Sequence, residues 1–223
     1  MRSENGSTDQ YPGRPDSDGD AGRSFIERAR RRQILEAAVA VIAQEGFAQA
    51  SLARIAARAG ISKGVISYHF AGKAELIHQV VVSVYTEGAE RVGPAVEATA
   101  TARDALAGYV RENLAFLADN PEKVRALIEI FTSFRADDDK LPFDATSDEP
   151  IIAPLVGICR RGQDAGEFGA FDPTVMARTV RAAVDAVPPQ MAAYPDLDVA
   201  AYAEELVALF DRATRRDAPE ETP

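Results

Sequence analysis

Residues 51–73, Ser-Leu-Ala-Arg-Ile-Ala-Ala-Arg-Ala-Gly-Ile-Ser-Lys-Gly-Val-Ile-Ser-Tyr-His-Phe-Ala-Gly-Lys, permit few arrangements besides two short helices joined by a tight turn. Ala56, four residues before Gly60, is small enough to let a second helix cross close by, and Gly60 accepts the positive φ that reverses the chain. Leu52, Ile55, Ile61, Ile66 and Phe70 fall where apolar pins would hold the pair at a fixed angle. Ser62, Lys63, Ser67, Tyr68 and His69 then form an outward face of donors and one aromatic. Such a face suits phosphates and base edges in a DNA major groove. An ordinary amphipathic helix pair meets one or two of these demands; here all are met within 23 residues.

At these residues the chain resembles the tetracycline-repressor family of bacterial one-component regulators. The resemblance rests on Ile55-Ala56, Ala59-Gly60-Ile61-Ser62-Lys63-Gly64, and Tyr68-His69-Phe70 followed by Lys73 and Leu76, preceded by a helix from about Arg28 to Glu45 that ends in Gly46-Phe47. It implies that Lys63, Ser67, Tyr68 and His69 lie on a recognition helix and that Lys73, at the start of the fourth helix, grips a phosphate. Ser51, where the family more often has threonine, still caps a helix. Ile66-Ser67 departs from a frequent aliphatic–tyrosine pair and leaves base preference open. The candidate DNA contacts are therefore Arg28, Arg32, Ser51, Ser62, Lys63, Gly64, Ser67, Tyr68, His69 and Lys73.

The net charge of −10 looks wrong for a DNA binder until it is divided along the chain. Residues 23–75 hold nine Lys/Arg against four Asp/Glu, whereas residues 1–22 hold two against five and residues 76–223 fourteen against twenty-six. A basic module on an acidic body presents one face to a polyanion and turns the rest away. Within the basic run, Arg28, Arg30, Arg31 and Arg32 read equally as phosphate contacts or as a solvated helix face.

Residues 1–22, rich in Ser, Asp, Gly and Pro, are expected to be a disordered arm, and residues 217–223 a disordered tail. Between them the reading is all-α: a three-helix helix-turn-helix domain over 23–72, then a helical ligand-binding and dimerisation body over 73–216. Periodicity places body helices near 73–91, 102–118, 121–136, 150–166, 172–188 and 197–215, about nine in the chain. Gly93-Pro94, Asp119-Asn120-Pro121, Pro142 with Pro150, Asp172-Pro173 and Pro188-Pro189 mark the breaks. A single cysteine, Cys159, permits no internal disulfide. With no apolar leader and no run of eighteen apolar residues, the expectation is a cytoplasmic protein without a membrane partner.

The wide stripes of the last two helices, among them Val175, Met176, Val180, Val184, Val199, Leu206, Val207 and Phe210, suit helices packed on two sides. The resemblance makes them, near 172–188 and 197–215, a four-helix bundle with their copies in a homodimer. A two-fold reader also multiplies the discrimination of one helix in one groove, which implies a palindromic operator in double-stranded DNA. Tyr109, Asn113, Phe116, Phe131, Phe134, Leu155, Cys159, Met176 and Thr179 are the candidates for lining a small hydrophobic ligand's cavity. Each also reads as ordinary core, with Asn113 satisfied by a backbone partner.

No metal-ligand spacing, phosphate-cradling glycine loop or nucleophile elbow occurs, and the expectation is a non-enzyme with no cofactor. The glycine-rich stretch 162–169 follows a helix and reads as a helix-ending loop. The sequence thus points to a homodimeric repressor released by a hydrophobic small molecule. The alternatives are a regulator of the same fold without an inducer, and a helical enzyme or interaction module with a vestigial DNA-binding segment.

Overall fold

The computed structural model describes residues 17–133 and 149–216, with side chains from residue 25 in the first segment and from 151 in the second. Among the described residues the chain is helical almost throughout. Its reader end comprises α1 (Ser17–Glu45), a 3-10 turn (Phe47–Gln49), α2 (Leu52–Arg58) and α3 (Lys63–His69). The body comprises α4 (Lys73–Glu97), α5 (Ala102–Asp119), α6 (Pro121–Ser133), α7 (Glu149–Asp164), α8 (Pro173–Asp185), α9 (Val187–Ala193) and α10 (Val199–Thr214).

Helix ends follow local chemistry where a cap or a glycine stands ready. Gly46, at φ 86°, ends α1, and Gly60, at φ 67°, makes the turn between α2 and α3. The side chains of Ser51, Thr101, Asp172 and Asp198 accept from backbone N–H groups in the first turns of α2, α5, α8 and α10. Three expectations need correction. The first helix begins at Ser17, ahead of the boundary expected at residue 23, in a stretch that holds no proline between Pro15 and Pro94. Gly93-Pro94 does not break α4, which continues to Glu97. So near a helix end, proline forfeits only one late hydrogen bond, and Val92 is buried across the site. The break expected at Pro188-Pro189 is present, α8 ending at Asp185, but the residues after it are not a loop: the prolines occupy the opening turn of a further helix, α9, where no N–H is needed, and Val187 beside them is fully buried.

Two apolar clusters fill the interior. The first joins α1, α2, α3, the N-terminal half of α4 and α6, with Ile34, Ile42, Ile55, Ile66, Leu76 and Ile130 at its centre and Phe116 of α5 at its edge. The second joins the end of α4 with α5, α7, α8, α9 and α10, through Val92, Leu106, Leu114, Leu155, Val180 and Phe210. Helix α4 thus runs through both, and α6, although part of the body by chain order, packs in the reader's core. The 162–169 loop has a packing role: buried Gly162 lies under the ring of Phe168, and Gly169 N–H donates to Thr214 O at 2.9 Å, closing α10 onto the end of α7.

Candidate nucleic-acid interface

The pins expected behind the reader helices are in place. Ile55, Ile66 and Phe70 are buried, and Leu52 and Ile61 pack against the same cluster. With the inner side of α3 so occupied, Ser62, Lys63, Gly64, Ser67 and Tyr68 are exposed and His69 is half-buried. Tyr68 is 76% exposed, an unusual position for so large an aromatic. Its ring meets that of His69 edge to face at 5.0 Å. Gly64 has neither a positive φ nor a crowded side: a Cβ there would meet only the Ser62 hydroxyl, at 3.7 Å. Ser51 is engaged as the cap of α2, accepting from Arg54 N–H at 3.3 Å, whereas the Ser62 side chain makes no capping bond to α3.

The arginine run divides in a way the sequence did not foresee. Arg32 is exposed and lies 3.8 Å from Glu36, and Arg28 is also exposed. Arg31 turns inward: its Nη1 donates to the carbonyl of His69, and its guanidinium lies 4.4 Å over the Phe70 ring. Arg30 donates to Gln33 Oε1 at 2.7 Å, and Gln33 in turn donates to Ala59 O at 2.8 Å. Two side chains of α1 therefore hold the C-terminal carbonyls of α2 and α3. No local pattern distinguishes Arg31 from its neighbours; only the position of α3 does.

Lys73 stands at the start of α4 as expected, but its side chain folds back on the 3-10 turn. Nζ donates to Phe47 O at 3.2 Å and sits 4.4 Å over the Phe47 ring, and loss of water holds its ammonium below the ordinary lysine value. Beside it Glu75 accepts from Ala71 N–H, so the start of α4 carries an acid as well as a base. Phe47 N–H donates to Glu129 Oε2 of α6 at 3.3 Å, and Gln44 donates to Glu122 Oε1 at 2.8 Å. The backbone of one residue, Phe47, thus joins α6 to the first residue of α4.

The residues proposed for a ligand cavity are not gathered in one place. Phe116 and Phe131 belong to the first apolar cluster, whereas Tyr109, Leu155 and Met176 belong to the second. Asn113 donates to Tyr109 O at 2.8 Å, the backbone bond of a satisfied amide. Cys159 is fully buried, and burial pushes its thiol up to about 11, which makes it inert. Thr179 is exposed, its hydroxyl donating to Val175 O at 2.8 Å. Phe134 lies outside the described residues.

Thr179 and Met176 instead border an open apolar groove of about 380 Å³ between α8 and α10, with Phe171, Val175, Leu209 and Phe210. Val175 is 63% and Leu209 50% exposed there. Among the described residues no helix is long and apolar enough to cross a membrane, and no group of three or more His, Cys, Asp or Glu could hold a metal.

Residues 34–80 match the family model described as bacterial regulatory proteins, tetR family. Over 67 residues the chain is 37% identical to the HTH-type transcriptional regulator BetI 2 of Chromohalobacter salexigens, covering 30% of this chain and 32% of that one. Over 92 residues it is 30% identical to the fatty acid metabolism regulator protein of Bacillus subtilis, covering 41% of this chain and 47% of that one. The chain thus spans about a third to a half of the length of these curated relatives. In fold it is similar to the B. subtilis transcriptional regulator FadR in complex with stearoyl-CoA, with a TM-score of 0.69 and 23% identity over 80% of this chain and 96% of that one. Buried pins behind an exposed face of α3 thus coincide with the segment, residues 34–80, that is similar to the tetR family of bacterial regulatory proteins, and the chain shares its fold with a solved transcriptional regulator.

Proposed function

We propose that this protein is a transcriptional repressor that binds double-stranded DNA as a homodimer on a palindromic operator and is released by a small molecule with an apolar body. The observation that carries the DNA reading is the outward face of α3. Exposed Lys63, Ser67 and Tyr68 stand on a helix whose other side is fixed by buried Ile66 and Phe70. Lys63 and Ser67 offer donors to base edges, and Tyr68 reaches either a thymine methyl or a phosphate. Exposed Gly64 leaves room for a sugar-phosphate backbone at close approach.

The groove of α8 and α10 supports the homodimer, since pairing with its own copy would cover Val175 and Leu209 and set two α3 helices on one duplex. Release requires a ligand that favours an arrangement with misplaced half-site helices. Two connections carry it: α4, continuous from Lys73 into the second core, and α6, whose Glu129 holds the Phe47 peptide. The acyl-CoA-bound neighbour supports a body that accepts an apolar ligand. Division of the cavity candidates between two cores favours the second reading, a regulator of the same fold that holds DNA without an inducer.

Selection of bound fragments from random duplex DNA tests the first part: a two-fold site is expected, and recovery of no sequence above background would sink it. Titrating the selected duplex with protein and candidate ligands tests the second. Ligand and operator should weaken each other reciprocally, and undiminished simultaneous binding would leave the inducer-free regulator.

A further inference from the structure

Helix α1 overhangs the reader. Its turn from Arg30 to Gln33 lies level with the C-terminal ends of α2 and α3, since Gln33 donates to Ala59 O at 2.8 Å and Arg31 donates to His69 O. The helix nevertheless begins at Ser17, about 20 Å further out along its axis. In the overhang, Phe25, Ile26, Glu27 and Arg28 are all exposed. Four consecutive residues go once round a helix, so this turn is open to solvent on every side. Phe25 is 66% and Ile26 64% exposed, side by side.

Two large apolar side chains on an uncovered turn add nothing to the core, and such an adjacent pair is a surface for another molecule. Charge and position name the occupant. Residues 23–32 hold five arginines and one glutamate, a surface that draws a polyanion and repels a second copy of itself. Phe25, Arg28 and Arg32, at i, i+3 and i+7, share one side of α1, and both arginines are exposed. Ile26, Arg30 and Gln33 share the side that reaches the end of α2. The overhang also continues the reading face, because it leaves the domain at the carbonyl of His69, the last residue of α3. With α3 in a major groove, it crosses the sugar-phosphate wall toward the neighbouring minor groove. That groove accepts Phe and Ile side chains, which wedge between base steps.

We propose that Phe25 and Ile26 form an apolar wedge that enters the minor groove adjoining each half-site, with Arg28 on the flanking phosphate. This rests on the DNA-binding reading above and adds a second contact to it. The wedge reads deformability in place of base edges: it favours flexible pyrimidine–purine steps at positions that α3 does not touch.

Footprinting of the full chain on its selected operator tests this. Methylation of guanine N7 reports the major groove, and hydroxyl-radical cleavage reports deoxyribose in the minor groove. Wild-type protein should protect guanines within the half-sites and a deoxyribose patch adjoining each. Phe25→Gln with Ile26→Gln keeps helix-favouring side chains on an exposed turn, so thermal melting should stay at the wild-type value. This double variant should keep the N7 protection, lose the deoxyribose patch and bind about tenfold more weakly. Its affinity should no longer depend on TA or CA steps placed under the patch. Equal footprints and affinities in the two proteins, or wild-type N7 protection with no deoxyribose patch, overturn the wedge and leave α3 as the DNA reader. A variant that melts early, or that loses self-association in the absence of DNA by light scattering, assigns the pair to packing within or between chains and also overturns it. Wild-type protein that protects neither groove removes the DNA-binding reading and the wedge together.

Discussion

Arg31 of α1 donates from Nη1 to the backbone carbonyl of His69, the last residue of α3, while its guanidinium covers the ring of Phe70 at 4.4 Å. A positive charge at a helix C-terminus satisfies a carbonyl that has no partner within the helix and opposes the helix dipole. The reading helix is thereby tied to a long helix that makes its own contacts with α6. Arg31→Met keeps the apolar stem but removes the cap and the cation over the ring. We expect a loss of about 1–2 kcal/mol by urea unfolding. Operator affinity should fall evenly across sequences, with the selected site unchanged. Wild-type stability in the variant would refute the tie.

Lys73 combines a position at the first residue of α4 with a side chain committed to Phe47. Lys73→Met should lower stability by about 1 kcal/mol through loss of the Phe47 hydrogen bond and ring contact. If the ammonium also reaches phosphate on the duplex, the slope of log affinity against log salt should fall by about one unit, equally for specific and random DNA. Loss of preference at one base pair alone would instead place Lys73 at a base edge.

The open groove between α8 and α10 predicts the oligomeric state. Val175→Asp and Leu209→Asp place a charge on side chains already largely exposed in the single chain, so the fold should persist with little change in helix content. Light scattering should show dimers becoming monomers, and affinity for a two-fold operator should drop far more than affinity for a half-site. Variants that remain dimeric would move the interface elsewhere.

Gly162 is required by packing. A Cβ added there would stand 2.1 Å from Cδ2 of the Phe168 ring, itself buried, so Gly162→Ala must push Phe168 out of the second core. Overpacking of this kind costs about 1–3 kcal/mol, readable as a lower urea midpoint. Phe168 and Gly169 also hold the end of α10, through the backbone bridge of Phe168 with Arg215. The variant should therefore expose the last turns of α10 to hydrogen exchange first.

The pair α2–α3 was readable from the sequence because everything that shapes it lies within about twenty residues. The cap at Ser51, the positive φ at Gly60 and the apolar pins Ile55, Ile66 and Phe70 each act on near neighbours. The start of α8 at Asp172-Pro173 was readable for the same reason. Proline alone was a poorer guide: Pro94 lies inside α4, where Val92 has a core position to fill, and Pro188-Pro189 separates α8 from α9 but opens that further helix rather than a loop. Only the tertiary structure decided which of four neighbouring arginines turns inward, since the carbonyl that selects Arg31 lies 38 residues away. Nor could local periodicity show that α6 belongs to the reader's core, that Glu129 holds a peptide 82 residues distant, or that Tyr109 and Phe116 of one helix serve different cores. A helix stripe records that a side is buried. Its partner is settled only when the chain closes on itself, which is why Arg181, unremarkable along the sequence, stands between Tyr109 of the second core and the Tyr85 ring packed on the first.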